Sequence, residues 1–504
     1  MSLLGGTMKK IITLLLVLSL AFSLFAGGSA EKNETVKKDI ITMAIPVDPD
    51  GLDPQLTASA STFQISSNIY ETLITVDDKG EIIPALASSW SVSEDGLAIT
   101  FILRDNAIFS NGKPCDSLAV KASFDRLLSD ISVRKSDYSF ITSIETPSKN
   151  TIVFKMDKLN VAALSSFAYP WAAIVDASAE NLRNKPVGTG PYVLISWTAQ
   201  QDLVLDLNKD YPYEVKNEGV RFVIMPDLTA EITALNAKEV DLILITGDLA
   251  SAVENKGYNI ISVAGNGLQL MAMNSSNKAL SDIRVRQAIN YAVNKDEVIE
   301  AVWWGYGKKI GSHFPVVLKD YVDYSENYSY NPEKAKELLA EAGYANGLTL
   351  RMDLPKNYQE YVNAGIVIAQ SLKKVGITVD INIVEWAYWL SEVYVGRNYD
   401  LTVVGHTGRL DPYALLVKYL SYGNENYFNY ANSEVDALLE KYQSELKDSK
   451  RSEYVKRIQE ILANEVPALY IQDPIQIFVA QSDIFGFKAY PINIYQMKEV
   501  YRTK

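Results

Sequence analysis

One segment of the sequence, Gly405–Pro412, combines several residue types that bind ligands. It reads GHTGRLDP, follows the predicted strand Tyr399–Val404 and precedes the predicted helix ALLVKYL. This order places the segment in a loop at the carboxyl end of a strand, where open α/β sheets bind ligands. Its side chains that could contact a ligand are His406, Thr407, Arg409 and Asp411.

Motifs for catalysis are missing from the sequence. The two histidines, His313 and His406, lie far apart in the chain, and there is no HExxH, GxSxG or GxxxxGK. A glycosidase needs only two carboxylates, so the 61 acidic residues leave a secreted hydrolase open as an alternative. We expect no enzyme activity, no catalytic residues and no cofactor. One loop histidine without a Cys/His cluster also predicts a hydrogen-bonding residue and no metal site.

Length and composition indicate a globular protein of more than one domain. The chain has 504 residues, of which 48% are hydrophobic and 22% charged. Its formal net charge of -13 argues against nucleic acid or an anionic membrane surface as the main partner, because both favour basic patches. The single cysteine, Cys115, cannot form an internal disulfide and is expected to be structural.

The stretch Asn266–Gly305 shows how the second half of the chain is organised. It begins as a buried strand, and a helix with apolar residues at three- and four-residue spacing around Val285 and Ile289 follows. Asn294 is expected to cap a second helix that Gly305 ends. Further alternation of helices and strands after residue 330 predicts a mixed or mostly parallel sheet covered by helices, whereas residues 73–185 are β-rich.

The same stretch carries a resemblance to a known family. The run NSSNKALSDIRVRQAINYAVNKDEVI, residues 274–299, resembles a segment of the bacterial extracellular solute-binding proteins of the oligopeptide/dipeptide/nickel class, family 5, which feed ABC importers. The resemblance covers essentially everything after the leader. Other matching segments, in order, are DPDGLDP (48–54), NIYETLI (68–74), PALASSWSVSEDG (84–96), ITFILRDNAIFSNGKP (99–114), GTGPYVL (188–194), YNPEKAKELLAEAGY (330–344) and DP (411–412).

The resemblance implies an α/β, two-lobed periplasmic-binding-protein-like fold of type II, cluster C. Lobe I would comprise residues 39–72, 186–268 and 476–504, with residues 73–185 as an extra β-rich subdomain. Lobe II would comprise residues 269–475. The chain would cross between the lobes near Leu268–Asn274 and near Ala468–Asp473, and these two strands would form a hinge.

The resemblance also implies a ligand site between the lobes. Peptide receptors of this class have an aspartate in the binding loop that pairs with the ligand's α-ammonium, but here Arg409 takes that place and Asp411 lies two residues on. A guanidinium suits a carboxylate, a sugar hydroxyl or a π-face, so both an oligopeptide or dipeptide and an oligosaccharide stay open as ligands. The predicted ligand-binding residues are Thr62, Gln64, Asn266, Gln269, Trp386, His406, Thr407, Arg409 and Asp411.

The N-terminal segment predicts export. Lys9-Lys10 precedes the apolar run Ile11–Ala26, and small residues follow, which is typical of a signal peptide over residues 1–30 with a linker at 31–38. Members of this class are often anchored through a cysteine after the leader, which the sequence as written does not have. We therefore expect a periplasmic or other extracytoplasmic monomer without a lipid anchor, whose partners are the ligand and an ABC permease in the inner membrane.

Overall fold

The structure, a computed structural model, describes residues 39–492 and 494–503. The predicted signal peptide and linker lie outside these residues. The helices are α1 Ala60–Ser66, α2 Ser117–Leu127, α3 Ala163–Ser166, α4 Leu228–Asn236, α5 Ile283–Ala292, α6 Lys295–Trp303, α7 Pro332–Glu341, α8 Gln359–Lys373, α9 Trp386–Tyr388, α10 Pro412–Leu416, α11 Ser433–Ser444 and α12 Asp448–Glu465. Within the described ranges, none of the helices has the length and hydropathy needed to span a bilayer.

Among the described residues, strands account for most of the remaining regular structure and form one 12-stranded sheet that extends through both lobes, one four-stranded sheet and two two-stranded sheets. They are β1 Ile40–Ile45, β2 Ile74–Val76, β3 Ile82–Pro84, β4 Ala87–Val92, β5 Ala98–Leu103, β6 Ser143–Ser148, β7 Thr151–Lys155, β8 Tyr192–Thr198, β9 Asp202–Leu207, β10 Gly219–Ile224, β11 Leu242–Ile245, β12 Asn259–Ala264, β13 Gly267–Met273, β14 Gly307–Lys309, β15 Leu348–Pro355, β16 Ile377–Val384, β17 Leu401–Thr407, β18 Ala468–Ala480, β19 Ile484–Phe485 and β20 Tyr501–Arg502.

Lobe I is built on strands in the order β8-β9-β10-β1-β11 followed by the second half of β18. Strand β1 pairs in parallel with β10 and β11, and its alternating residues Ile41, Met43 and Ile45 are buried. The extra subdomain has its own antiparallel sheet, β4-β5-β7-β6, as the β-rich sequence predicts. Its core includes Phe101 and Phe124 and also takes in Ile492 from the C-terminal segment.

Lobe II has the strand order β16-β15-β17-β13 followed by the first half of β18. Because β15 pairs in parallel with β16 and β17 while β13 is antiparallel to its neighbours, the sheet is mixed, as predicted. The predicted caps are confirmed at α6, where Asn294 accepts hydrogen bonds from the amides of Asp296 and Glu297. The helix ends at Trp303, after which Trp304 and Gly305 both have positive φ.

Two chain segments join the lobes side by side. Strand β18 pairs with β13 up to Gln472 and with β12 from Ile475 onward, so it belongs to both lobes. Opposite its midpoint, β12 gives way to β13 through Gly265 and Asn266. The strand that pairs with β18 changes at this point from β13 to β12, because Pro474 has no amide to donate and Asn266 has a φ of 52°. We expected the crossings at Leu268–Asn274 and Ala468–Asp473. These two segments pair with each other within lobe II, and each has one end next to the crossing point.

One predicted boundary near the ligand loop is wrong. The strand predicted at Tyr399–Val404 runs instead from Leu401 to Thr407, so His406 and Thr407 belong to the strand. Gly267 and Leu268 of β13 pair with these two residues and extend the ladder through polar side chains. The loop therefore begins only at Gly408. The other limits given for the lobes stay a prediction.

Candidate functional site

A pocket of about 190 Å³ lies where both lobes and their crossing segments meet. We call it the cleft pocket. Lobe I and its extra subdomain supply most of its wall, and the end of β17 supplies the face from lobe II. The residues that line it are Ala58, Ala60, Phe63, Gln64, Arg134, Tyr169, Pro170, Trp171, Gly265, Asn266, Thr407, Gly408, Arg409, Gln476, Phe478, Ala489, Tyr490, Pro491, Ile492, Ile494 and Tyr495.

The structure brings four of the predicted ligand-binding residues together at the cleft pocket, namely Gln64, Asn266, Thr407 and Arg409. Asn266 connects two walls of the pocket, because its carbonyl accepts the amide of Gly408 at 2.7 Å and its Nδ2 donates to the Pro491 carbonyl at 2.6 Å. One buried residue thereby ties the lobe II loop to the C-terminal segment of lobe I. The ligand-binding role of the four residues stays a prediction.

An aromatic stack forms the wall contributed by the extra subdomain. The rings of Tyr169 and Trp171 lie parallel, with centroids 4.5 Å apart and an interplanar angle of 5°. The guanidinium of Arg134 lies 4.4 Å from the Trp171 ring centroid, and Phe63 packs against the same indole at 5.4 Å. This arrangement presents a rigid, flat surface and a cation at one side of the pocket.

The lobe II loop contacts this stack directly. The amide of Leu410 donates a hydrogen bond of 2.9 Å to the Tyr169 hydroxyl. Burial raises the pKa of the Tyr169 phenol, while the positive charge of Arg409 acts in the opposite direction. Tyr169 therefore stays a neutral phenol at physiological pH, and Arg409 lies close enough to interact with it electrostatically.

Asp411 does not take the place of the ammonium-binding aspartate of the peptide receptors, at whose position this chain has Arg409. It is buried, accepts the amide of Tyr413 at 2.8 Å as the cap of α10, and accepts the hydroxyl of Tyr442 at 3.1 Å. Burial raises the pKa of this carboxyl group. The structure thus uses Asp411 inside lobe II and does not place it at the cleft pocket.

His406 also turns away from the pocket. Its Nδ1 lies 3.1 Å from Nε2 of His313, and its Nε2 lies 3.1 Å from the hydroxyl of Tyr427. The other nitrogen of His313 contacts Tyr419 at 2.7 Å, so all four ring nitrogens have partners inside lobe II. Burial lowers the pKa of His406 to about 3, so the ring is neutral. In the described ranges there is no group of three or more potential metal-ligating side chains of His, Cys, Asp or Glu.

Three other predicted residues are likewise absent from the lining of the cleft pocket. Thr62 is fully buried, and its hydroxyl lies 2.8 Å from two acceptors, a carboxylate oxygen of Asp50 and the Gly51 carbonyl. The side chain of Gln269 accepts a hydrogen bond from Gln472 across the paired strands β13 and β18.

The third of these residues, Trp386, is half-buried and stacks on Trp389, with centroids 5.0 Å apart and an interplanar angle of 3°. Helix α9 begins at Trp386 directly after β16, and the indole packs against the core of its own lobe.

Sequence reasoning missed the pocket residues of the extra subdomain, Arg134, Tyr169 and Trp171. None of them stands in a recognisable motif, and they reach the pocket where Trp171 packs against Phe63 of α1. The one usable signal was the dense aromatic run Phe167–Trp171, which the β-rich pattern of residues 73–185 obscured.

A larger cavity of about 720 Å³ lies within lobe I, between the extra subdomain and the C-terminal segment. Its charged residues largely pair with one another: Lys216 with Glu499 at 2.9 Å, and Lys488 with Asp78 at 3.1 Å. No predicted ligand residue lines it, and lobe II contributes nothing to its described walls. We therefore take the cleft pocket as the candidate site.

Close packing at Gly408 gives a first prediction. A Cβ at this position would lie 1.9 Å from Oδ1 and 2.2 Å from the carbonyl oxygen of Asn266, a backbone atom that cannot swing away. Gly408→Ala should therefore lower the free energy of unfolding by about 1–3 kcal/mol, as overpacking does. Urea denaturation measures it. Thr407→Ala, a truncation of an exposed side chain one residue away, is the control, and equal stability of both variants would contradict the contact.

Comparison with known proteins gives matches along most of the chain. The family profile for bacterial extracellular solute-binding proteins, family 5, middle region, matches residues 81–427. Heme-binding protein A of Haemophilus influenzae is 30% identical over 471 residues, covering 83% of this chain and 84% of that protein. Di/tripeptide-binding protein 1 of Pseudomonas aeruginosa is 27% identical over 495 residues, covering 90% of this chain and 92% of that protein.

A solved structure resembles this one over nearly its full length. It is an ABC transporter-associated periplasmic binding protein from Helicobacter pylori in complex with a peptide. The TM-score is 0.71 at 25% sequence identity, covering 92% of this chain and 98% of that one.

Proposed function

This chain belongs to the bacterial extracellular solute-binding proteins of family 5, and we propose that it captures a small peptide-like solute between its lobes for an ABC importer. The observation that carries the proposal is the position of the cleft pocket at the crossing of the lobes. Residues from both lobes line it, so a ligand there contacts both at once. Relatives whose names specify a di- or tripeptide or heme support a small organic ligand.

The size of the pocket supports a small solute. Its volume of about 190 Å³ is below the range of roughly 300–1,000 Å³ that holds drug-sized ligands. One or two amino-acid residues match this space better than a long peptide. Aromatic rings and hydrogen-bonding groups such as Tyr169 and Gln64 also suit a sugar. The alternative ligand that the experiment must distinguish from a peptide is therefore an oligosaccharide.

Movement about the crossing couples binding to delivery. Two backbone segments, near Asn266 and Pro474, connect the lobes, so small dihedral changes there can close the pocket without deforming either lobe. A ligand that contacts both lobes favours the closed arrangement, which a membrane permease can recognise. We propose that the protein works in this way as an extracytoplasmic monomer and leaves its ligand chemically unchanged.

The experiment is a binding panel on ligand-free protein. The chain is unfolded in guanidinium chloride to release any copurified ligand, refolded, and titrated calorimetrically with dipeptides, tripeptides and neutral oligosaccharides. We expect saturable binding of one short peptide class per chain and recovery of the peptide with unchanged mass. Binding of oligosaccharides alone would replace the peptide proposal, and a cleaved product would contradict a receptor function.

A further inference from the structure

The charged side chains among the described residues that line the cleft pocket are all positive. Arg134 lines it from the extra subdomain and Arg409 from lobe II, and no Asp or Glu is among the described residues of its lining. This excess of positive charge stands out in a chain with a formal net charge of -13. A site for a ligand with a free ammonium group would be expected to show the opposite sign.

Within the described residues, neither guanidinium is held in a buried ion pair. Arg134 has one ionic contact, to Asp137 at 3.5 Å, and the Asp137 side chain is 41% exposed. Its Nε is buried without a hydrogen-bond partner among the described residues. Arg409 is exposed at the pocket, and the described part of the chain shows no hydrogen bond or ion pair to it. Arg409 is therefore available to a ligand, and Arg134 is available through the N–H groups that Asp137 does not use.

We infer that the cleft pocket selects a small peptide-like ligand with a free carboxylate and a blocked or absent α-ammonium, and that Arg134 and Arg409 bind this carboxylate from the two lobes. The inference rests on the proposed function, because it names the class of ligand for the same pocket. A pocket of this kind differs from one with the ammonium-binding aspartate that the family resemblance implies.

The chemistry of the two side chains favours this class. A guanidinium binds a carboxylate through paired, charge-assisted hydrogen bonds, and two arginines on different lobes can share its two oxygens. An ammonium at the same place would face two cations, and no acid among the described lining residues would balance them. Because charges more than about 8 Å away are screened at physiological ionic strength, the distant acidic surface does not offset this arrangement.

The aromatic wall suits the remainder of such a ligand. Trp171 already has Arg134 over its ring at 4.4 Å and Tyr169 stacked at 4.5 Å, so its position is fixed before binding. An acyl group or apolar side chain can pack beside this stack while the carboxylate reaches the arginines. Little conformational entropy is then lost in the protein on binding.

The test compares four pools of dipeptides that share the same side chains and differ only at their ends. The pools are the free dipeptides, the N-acetyl dipeptides, the dipeptide amides and the N-acetyl dipeptide amides. Each is titrated into the refolded full chain and followed by native mass spectrometry. We expect the N-acetyl dipeptides to bind at least as tightly as the free ones, and both amide pools to bind at least about 30-fold more weakly than their acids.

Charge-matched variants assign the effect to the two arginines. Arg409→Gln and Arg134→Gln should each weaken binding of the N-acetyl dipeptides about 10- to 100-fold and change binding of their amides less than about threefold. The controls are Lys441→Gln and Lys158→Gln, which remove the same charge from exposed sites on lobe II and the extra subdomain. They should leave all four pools unchanged.

Each other outcome contradicts the inference in a distinguishable way. Loss of binding on N-acetylation, with the free dipeptides and their amides still bound, would overturn the inference and leave the receptor function standing. Equal losses for acids and amides in the arginine variants would show a structural role only. If none of the pools binds, both the inference and the peptide proposal fail.

Discussion

Replacing Asp473 with alanine is expected to lower the free energy of unfolding by about 2–6 kcal/mol, because two buried amides lose their acceptor at about 1–3 kcal/mol each. The carboxyl group is completely buried in the middle of β18. It accepts the amide of Gly267 at 3.0 Å and that of Val316, also at 3.0 Å. The side chain thus connects both crossing segments to a loop of lobe II. Urea denaturation at pH 5, followed by circular dichroism, measures the change.

The control for this variant is Asp380→Ala, which removes an exposed carboxylate from β16 of the same lobe and should change stability by less than about 0.5 kcal/mol. At pH 5, where Asp473 is protonated in the native state, Asp473→Asn should fall between wild type and alanine, because one amide oxygen can serve only part of the pair. If Asp473→Ala were as stable as the control, the amides would not depend on this carboxylate.

Asp473 should also make the free energy of unfolding depend on pH, with a loss of stability as the pH rises. Burial raises the pKa of Asp473 to about 6, so the native state holds this proton more tightly than the unfolded chain does. Its contribution to stability is complete below the unfolded pKa near 3.8 and is lost as the pH rises through about 6, at a total of about 3 kcal/mol. The free energy of unfolding is measured between pH 4 and 7 for wild type and for Asp473→Asn. The difference between the two curves isolates Asp473 from the other carboxylates.

Replacing Glu231 with leucine is expected to stabilise the protein. Glu231 lies in α4 with no solvent exposure, and neither of its carboxyl oxygens has a hydrogen-bond partner among the described residues. Burial raises its pKa to about 8. Above this pH the native state must hold an unpaired buried charge, so Glu231→Leu should gain about 2–5 kcal/mol at pH 8.5.

The stabilisation by Glu231→Leu should become smaller as the pH falls. Glu231 contributes most to wild-type stability below its ordinary pKa of 4.5, and this contribution is lost as the pH rises through about 8. The variant should therefore approach wild type at pH 5, as measured by urea denaturation at both pH values. Glu239→Leu, at an exposed position just after the same helix, should show no such pH dependence. A gain that is equal at pH 5 and 8.5 would contradict the account of the buried charge.

Much of the fold could be predicted because its signals are local. The apolar spacing around Val285 and Ile289 and the cap at Asn294 each depend on residues within one or two turns, and the structure confirms both helices. The end of β17 could not be predicted in the same way. His406 and Thr407 are polar, and they extend the strand only because β13, more than 130 residues earlier, pairs with them.

The candidate site was harder to predict for the same reason. The loop around Arg409 was identified from its place after a strand, but Arg134 reaches the same pocket from about 270 residues away. Asp411 carried a plausible functional charge in the sequence, yet it caps α10 and contacts Tyr442. Residue type and spacing alone do not tell a capping carboxylate from a ligand-binding one, since both favour loops that precede helices.

Small-angle X-ray scattering of the refolded chain, with and without its own ligand, tests the central claim most directly. The small molecule released on unfolding the purified protein is identified by mass spectrometry and added back at saturating concentration. Binding between two lobes joined at Asn266 and Pro474 predicts a smaller radius of gyration and a ligand recovered with the same mass. Saturation without any change in scattering, or a ligand of altered mass, would contradict capture by closure.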